Sequence, residues 1–200
     1  IRDKYANKIS TDDQKNFKEN LKIINNQIKQ IENLVNEFSD FARMPKPIFK
    51  KNDLIKIIKE NIKLVSEIDK SIEIDIQMNK KDVLLNCDKE QIARVFFNLI
   101  KNSIESIQQK AEKNSNFSKK ISIEINEIND HIKIIIIDNG VGFDNLDNNI
   151  NEILSPYFTT KKNGTGLGLS IVNKIINDHN GELSFSSIDN GAKIEINFKN

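Results

Sequence analysis

Asp138-Asn139-Gly140-Val141-Gly142-Phe143 sets a carboxylate beside two glycines one residue apart, directly after Ile134 to Ile137, the most apolar run of the chain. A buried strand that ends in a carboxylate holds that acceptor still, and the glycines let a flat ligand approach backbone that a Cβ would shield. The same six residues also spell an ordinary tight turn, so the company they keep has to decide. Asn98 and Asn102 stand four residues apart, which puts both carboxamides on one helix face, with Glu105 one turn further. A carboxamide oxygen suits Mg²⁺, which keeps several waters and takes its other ligands from phosphates. Two surface asparagines in an asparagine-rich chain are the plainer alternative.

Gly164-Thr165-Gly166-Leu167-Gly168-Leu169-Ser170 leads from a loop into a helix. Successive free N–H groups and the positive helix end make an anion cradle there, and Lys161 and Lys162 upstream add charge for a triphosphate. It is not a P-loop, since no Gly-Lys-Ser/Thr follows. It is not a dinucleotide fingerprint either, because the third glycine comes one residue early and no strand precedes it. The stretch from Asp144 to Gly164 is long for an idle connection. Within it, Pro156-Tyr157-Phe158-Thr159-Thr160-Lys161 offers aromatic anchors for a segment that closes over a ligand, with a surface loop as the alternative.

These residues need elements to position them. Asn98 and Asn102 fall on a helix expected from Lys89 to about Gln109, with Ile92, Phe96, Leu99, Ser103 and Ile107 on one face. Asp138 ends the second of two alternating strands, 121–125 and 132–137, joined at Asn129-Asp130. A helix over 53–66 and strands at 72–78 and 83–87 precede them. A helix from about Gly166 to Asp178, capped at Asn180-Gly181, follows. Strands 182–187 and 192–198, joined by Asp189-Asn190-Gly191, close the chain as a hairpin. This order predicts an α+β fold, an α/β sandwich with helices on one face of a mixed sheet.

Ahead of it, Phe17, Leu21, Ile24, Ile28, Ile31, Val35, Phe38 and Ala42 repeat at spacings of 4 and 3 without a slip. That heptad seam predicts a coiled-coil or bundle helix, with Asp12 and Asp13, or Ser10 and Thr11, at its start and Pro45 and Pro47 stopping it near Met44. A lone amphipathic helix cannot bury its stripe, so pairing with an upstream helix and dimerisation into a four-helix bundle is expected. The division is 1–47 for the helical part and 48–200 for the domain. A net charge of +1, with 30% charged residues of both signs interspersed, gives no support for a nucleic-acid or membrane partner. Cys87, the one cysteine, excludes an internal disulfide and reads as a buried inert thiol in a reducing compartment. No apolar run reaches bilayer length. The first residue is Ile, so the chain is expected to be a cytoplasmic piece of something longer.

Taken in order, Asn98/Asn102, Asp138 to Gly142, Phe158, and Gly164 to Gly168 resemble the four boxes of the catalytic domain of bacterial sensor histidine kinases, the ATP-binding fold shared with gyrase, Hsp90 and MutL. The match covers about residues 50–200. Asn36 to Pro47 resembles the end of the dimerisation and phosphotransfer hairpin, in wording close to the nitrogen-regulation branch of these kinases. The resemblance implies that Asp138 accepts the adenine amino proton and that Gly140 and Gly142 let the purine lie against backbone. It implies that Asn102 holds Mg²⁺, with Asn98 and Glu105 supporting, and that Phe158 fastens the lid. Thr160, Lys161, Gly164, Thr165, Gly166, Leu167, Gly168 and Leu169 would frame the triphosphate of ATP. The γ-phosphoryl would pass to a histidine and then to an aspartate of a response-regulator receiver domain, in a homodimer belonging to a membrane-anchored sensor.

Two departures bear on this. The family's acceptor is a histidine followed by an acidic residue in the first hairpin helix, and only His131 and His179 occur here. Both read as structural or surface residues, so the acceptor is expected upstream of Ile1 or in another protein. ATP-hydrolysing relatives carry a glutamate as general base where this chain has Asn98, which cannot take a proton from water. That favours a kinase over a hydrolysing ATPase of the gyrase or Hsp90 kind. A dimerising scaffold with a dead nucleotide site is the alternative from a different class.

Overall fold

A computed structural model describes residues 11–114, 117–143, 150–161 and 164–199, which fall into two compact units. The first holds the residues up to Met44 together with Thr160–Thr165; the second holds Pro45–Thr159 and Gly166–Asn200.

The first unit is dominated by α1, Thr11–Ala42. Asp12 and Asp13 lie in this helix, and its last bond, Arg43 N–H to Ser39 O at 2.9 Å, falls just ahead of Pro45. The heptad residues Ile24, Ile28, Ile31, Val35 and Phe38 are 48–60% exposed in the single chain. Five large apolar side chains in that state form the unpartnered stripe that the seam predicts. Thr165 donates its hydroxyl proton to the Glu37 carboxylate within this unit.

The second unit is an α+β sandwich. It contains β1 Lys50–Asp53, α2 Leu54–Val65, β2 Glu73–Met78, β3 Leu84–Cys87, α3 Lys89–Ala111, β4 Lys120–Ile128 and β5 His131–Asp138. A single 3-10 turn at Ile150–Leu154 follows, then α4 Gly168–Asp178, β6 Glu182–Ile188 and β7 Gly191–Lys199. The main sheet has the order β2-β4-β5-β7-β6, parallel at β2/β4 and antiparallel elsewhere. Period-2 alternation turns Ile121, Ile123, Ile125, Ile132, Ile134, Ile136, Ile194, Ile196 and Phe198 to one buried face, while Ser122, Glu124, Lys133 and Glu195 occupy the other. Among the described residues of this unit, helices therefore cover one face only. Among them α3 is central and packs against both α2 and α4.

Local chemistry sets the ends of these elements. Asp53 caps α2 through Ile55 and Lys56 N–H, and Asp88 caps α3 through Glu90 and Gln91 N–H. Asp88 also accepts the Ile48 N–H at 2.9 Å. Burial acts upward on its carboxyl, but these N–H donors outweigh it and hold the pKa below the usual value. Asn129 and Asp130, at φ 49° and 62°, make the two left-handed positions of the β4–β5 hairpin.

Several expectations need adjustment. β1 carries no apolar alternation in its Lys-Lys-Asn-Asp sequence; it exists because β3 offers it an antiparallel edge in a separate two-stranded sheet. The last hairpin turn has two residues, not three, since Ile188 already pairs with Gly191. At the end of α4 the left-handed residue is Asn180 (φ 55°), while Gly181 is demanded by space: a Cβ there would stand 2.8 Å from the Phe198 ring. For His179 the structural of the two alternatives holds, since it is buried. Its Nε2 accepts the Asp88 N–H at 3.0 Å, its Nδ1 meets Ile175 O at 2.8 Å, and its ring tilts against Phe49. Both ring nitrogens are thereby spent on structure. Cys87 is fully buried, and burial pushes its thiol up to about 11, the inert state expected of it. Among the described residues no helix is long and apolar enough to cross a membrane.

Candidate functional site

β5 delivers Asp138 to the end of the sheet between Ile121 of β4 and Ala192 of β7. The carboxylate is 3% exposed. One oxygen accepts the Ser103 hydroxyl of α3 at 2.8 Å and the other accepts the Gly140 N–H at 3.0 Å. Burial is the largest influence on its carboxyl and raises its pKa, against the downward pull of Ser103, the Gly140 and Ala192 N–H groups and the Lys110 charge. Each carboxylate oxygen has lone-pair capacity beyond these bonds, so a further N–H donor can be accepted.

The turn after Asp138 is fastened on every side. Asn139 receives the Lys120 N–H at 2.9 Å and donates its amide to Ser118 O at 2.6 Å. The Ser106 hydroxyl accepts the Val141 N–H at 3.0 Å. A Cβ on Gly140 would lie 2.1 Å from Ser106 Oγ, so α3 and this turn touch through the missing side chain. Gly142 has φ +69°, where a Cβ would meet Gly191 O at 2.7 Å. Phe143 makes an edge contact with Phe185 of β6.

Asn98 and Asn102 leave α3 half-buried, one turn apart, as the spacing predicts. Asn98 Oδ1 faces the start of α4, 3.6 Å from where a Gly168 Cβ would stand. Glu105, the next turn along, pairs with Lys101 at 3.9 Å. α4 begins at Gly168, two residues later than expected, and its N-cap Leu167 offers no side-chain bond to the first N–H groups. The Ser170 hydroxyl turns back to Leu167 O at 2.8 Å, Leu167 is buried, and Leu169 is half-buried. Gly166 takes φ +70° against Tyr157 and Phe158, and its carbonyl accepts the Tyr157 N–H at 3.0 Å. Phe158 is half-buried and donates its N–H to Ser155 O at 3.2 Å, whereas Tyr157 is exposed.

Asn98, Asn102, Glu105, Asp138, Gly140, Gly142, Phe158, Gly166, Leu167, Gly168 and Leu169 thus belong to one unit. Thr160, Lys161, Gly164 and Thr165 group with the helical unit, and Lys162 lies outside the described residues, as do residues 144–149 and Asn163 of the Asp144 to Gly164 stretch. His131 is exposed at the first position of β5. Among the described residues no three His, Cys, Asp or Glu side chains cluster for a metal. A carboxamide such as that of Asn102 fits a hard cation that brings phosphate and water ligands with it, rather than one caged by protein.

Sequence reasoning missed Ser103, Ser106 and Lys110. Ser103 falls on one helix face with Ile92, Phe96, Leu99 and Ile107, with no partner foreseen for its hydroxyl. The available signal was its position: one residue after Asn102 and on the inward stripe, a buried hydroxyl must find a partner.

Residues 87–200 match the family model described as histidine kinase-, DNA gyrase B-, and HSP90-like ATPase. An NtrY-like sensor histidine kinase of Rickettsia felis is 34% identical over 183 residues, which is 91% of this chain and 29% of that protein. The chain therefore spans under a third of that relative's length. The solved catalytic domain of the histidine kinase ThkA superposes with a TM-score of 0.65 at 27% identity, covering 76% of this chain and 95% of that one. ThkA solved in complex with the response regulator TrrA superposes with a TM-score of 0.71 at 24% identity, over 92% of this chain and 52% of that one.

Proposed function

The chain belongs to the histidine kinase-, DNA gyrase B- and HSP90-like ATPase family, and on that premise we propose that it is the ATP-binding kinase core of an NtrY-like sensor histidine kinase. The observation that carries the reading is the buried Asp138 carboxylate at the end of β5, backed by Ser103 and Gly140 and next to glycines that leave the backbone bare. In this reading Asp138 accepts the adenine amino proton, and the purine lies against Gly140 and Gly142. The triphosphate runs toward the α4 N-terminus, where uncapped N–H groups and the helix end favour negative charge. Asn102 holds Mg²⁺ against the phosphates, and Asn98, facing Gly168, supports that end. Phe158, packed beside Gly166, anchors the segment next to the phosphate end.

The reaction is attack of a histidine nitrogen on the γ-phosphorus, with cleavage of the bond to the β–γ bridging oxygen and departure of ADP. The phosphoryl group then passes to an aspartate of a response-regulator receiver domain. Positioning and charge neutralisation do most of this work. The side chain at position 98 is a carboxamide, which cannot deprotonate water, and this supports transfer over hydrolysis. Neither His131 nor His179 suits the acceptor role: one opens a strand, and the other has both ring nitrogens committed. The exposed heptad stripe of α1 supports homodimerisation through that helix, on the cytoplasmic side of a sensor.

Calorimetric titration with a non-hydrolysable ATP analogue, with and without Mg²⁺, tests the reading. Micromolar, adenine-selective binding is expected. A folded sample that binds no nucleotide would overturn it in favour of a dimerising scaffold.

A further inference from the structure

Lys110 lies in the last turn of α3, and its Nζ reaches three backbone carbonyl oxygens on two separate turns. Asn139 O and Gly140 O each lie at 2.9 Å, and Asn190 O at 3.5 Å. The ring of Phe117 stands 5.0 Å from the same ammonium. An ammonium has three protons to donate and no lone pair, so this set of acceptors matches it in number and sign. Carbonyl oxygens that converge on one point repel each other unless a cation sits between them. Asn139 and Gly140 are the two residues directly after Asp138. Asn190 belongs to the β6–β7 turn, whose next residue, Gly191, comes so close that a Cβ would lie 1.8 Å from Asp138 O.

We propose that Lys110 is a positioning residue for nucleotide recognition: by binding Asn139, Gly140 and Asn190 carbonyls together, it locks the Asp138 turn to the β6–β7 turn and sets the depth at which Asp138 meets the base. The inference rests on the reading of Asp138 as the base acceptor. Two effects follow from the one contact. The first is geometric, since the carbonyls of the turn are held by Lys110 while Asp138 and Ser106 hold the N–H groups of Gly140 and Val141. The second is electrostatic. Among the described neighbours of Asp138, Ser103 on α3, Ile121 on β4 and Ala192 on β7 are uncharged, and Lys110 is the positive group that opposes the upward effect of burial. Removing the charge therefore moves the titration of Asp138 to higher pH, a consequence that a merely structural contact would not have.

The test is ATP affinity by calorimetry across about pH 5 to 8 for the native chain and for Lys110→Met, Lys110→Gln and Lys110→Arg, with circular dichroism to establish folding. Lys110→Met is expected to bind ATP about ten-fold more weakly at neutral pH. The acid edge of its binding should lie at higher pH than in the native chain. Lys110→Gln keeps a donor without the charge, so it should show the displaced acid edge with a smaller loss of affinity. Lys110→Arg should restore both toward native values. If Lys110→Met does not fold, the Gln and Arg variants carry the same comparison. Native affinity and a native acid edge in the uncharged variants overturn the proposal while leaving the nucleotide site standing. Absence of ATP binding by the native chain overturns both.

Discussion

The two glycine-bearing stretches of the ATP-binding unit are built on opposite plans. Around Asp138 the turn is committed to its own protein: Ser103, Ser106, Lys110, Ser118 and Lys120 all bond to it, and Gly140 is a glycine because α3 presses against it. At the start of α4 the helix has no side-chain cap, and Gly168 has only ordinary contact distance to Asn98. The first is a rigid mould, which in the proposed reading discriminates a base by where one carboxylate sits. The second keeps backbone N–H groups uncommitted to a side-chain cap, as an anion of variable position requires. Recognition wants pre-paid order, while phosphate handling wants unspent donors.

The sharpest way to break this comparison is Asp138→Asn. It places an amide donor at the acceptor position and should lower ATP affinity by about a hundred-fold or more, with an unchanged circular dichroism spectrum. An unaltered dissociation constant would remove Asp138 from the base site. The native chain should also lose ATP affinity on acidification at a higher pH than an unperturbed carboxylate would impose. Its raised pKa means that Asp138 takes up a proton earlier, and only the ionised form accepts with both oxygens.

Next in size is a pair of glycine substitutions. Gly140→Ala forces a Cβ to 2.1 Å from Ser106 Oγ and 2.8 Å from Ser106 backbone, so it should destabilise the fold by about 2–3 kcal/mol in urea titrations. Gly168→Ala meets nothing closer than 3.6 Å and sits at a helix start, so its stability should hold or rise by about 0.5 kcal/mol. Its cost should appear instead as several-fold weaker ATP binding. Equal stability effects at the two positions would erase the distinction between mould and cradle.

Asn102→Ala should weaken ATP binding about ten-fold when Mg²⁺ is present and little in EDTA. The same loss in both conditions would count against a metal-ligand role. The smallest effect is expected far from either stretch. Asp69 accepts bonds from Ser71, Lys119 and Gln108, which hold its carboxyl far below the usual range. The stability it contributes is present above the unfolded carboxylate pKa and is lost as pH falls through the folded one. Asp69→Asn should therefore cost on the order of 1–2 kcal/mol at neutral pH and less under acid, as thermal denaturation across pH would record.

Much of the ATP-binding unit is legible in the chain because its signals are local. Alternation over 121–125 and 132–137 reports one buried face, and Asn129-Asp130 reports a hairpin turn, whatever surrounds them. The helix carrying Asn98 and Asn102 follows from period, and its carboxamide face follows from a spacing of four. What could not be read there is whatever depends on a neighbour distant in sequence. β1 is a strand because β3 pairs with it, and Lys50 to Asp53 carry no pattern of their own. Lys110 looks like any solvated lysine until the turns at Asn139 and Asn190 are brought to its ammonium.

Sequence by itself determined the elements other than β1, the sheet's buried face, the seam of α1 and the residue types of the candidate site, since these rest on periodicity and on side-chain chemistry. Tertiary structure alone decided that Ser103 backs Asp138, that Ser106 makes Gly140 obligatory, that His179 is spent on Asp88 and Ile175, and that Lys110 ties two turns together. Apart from the local His179–Ile175 bond, each of these is a contact across dozens of residues, set by how strands and helices stack, and no local pattern encodes which partner will arrive.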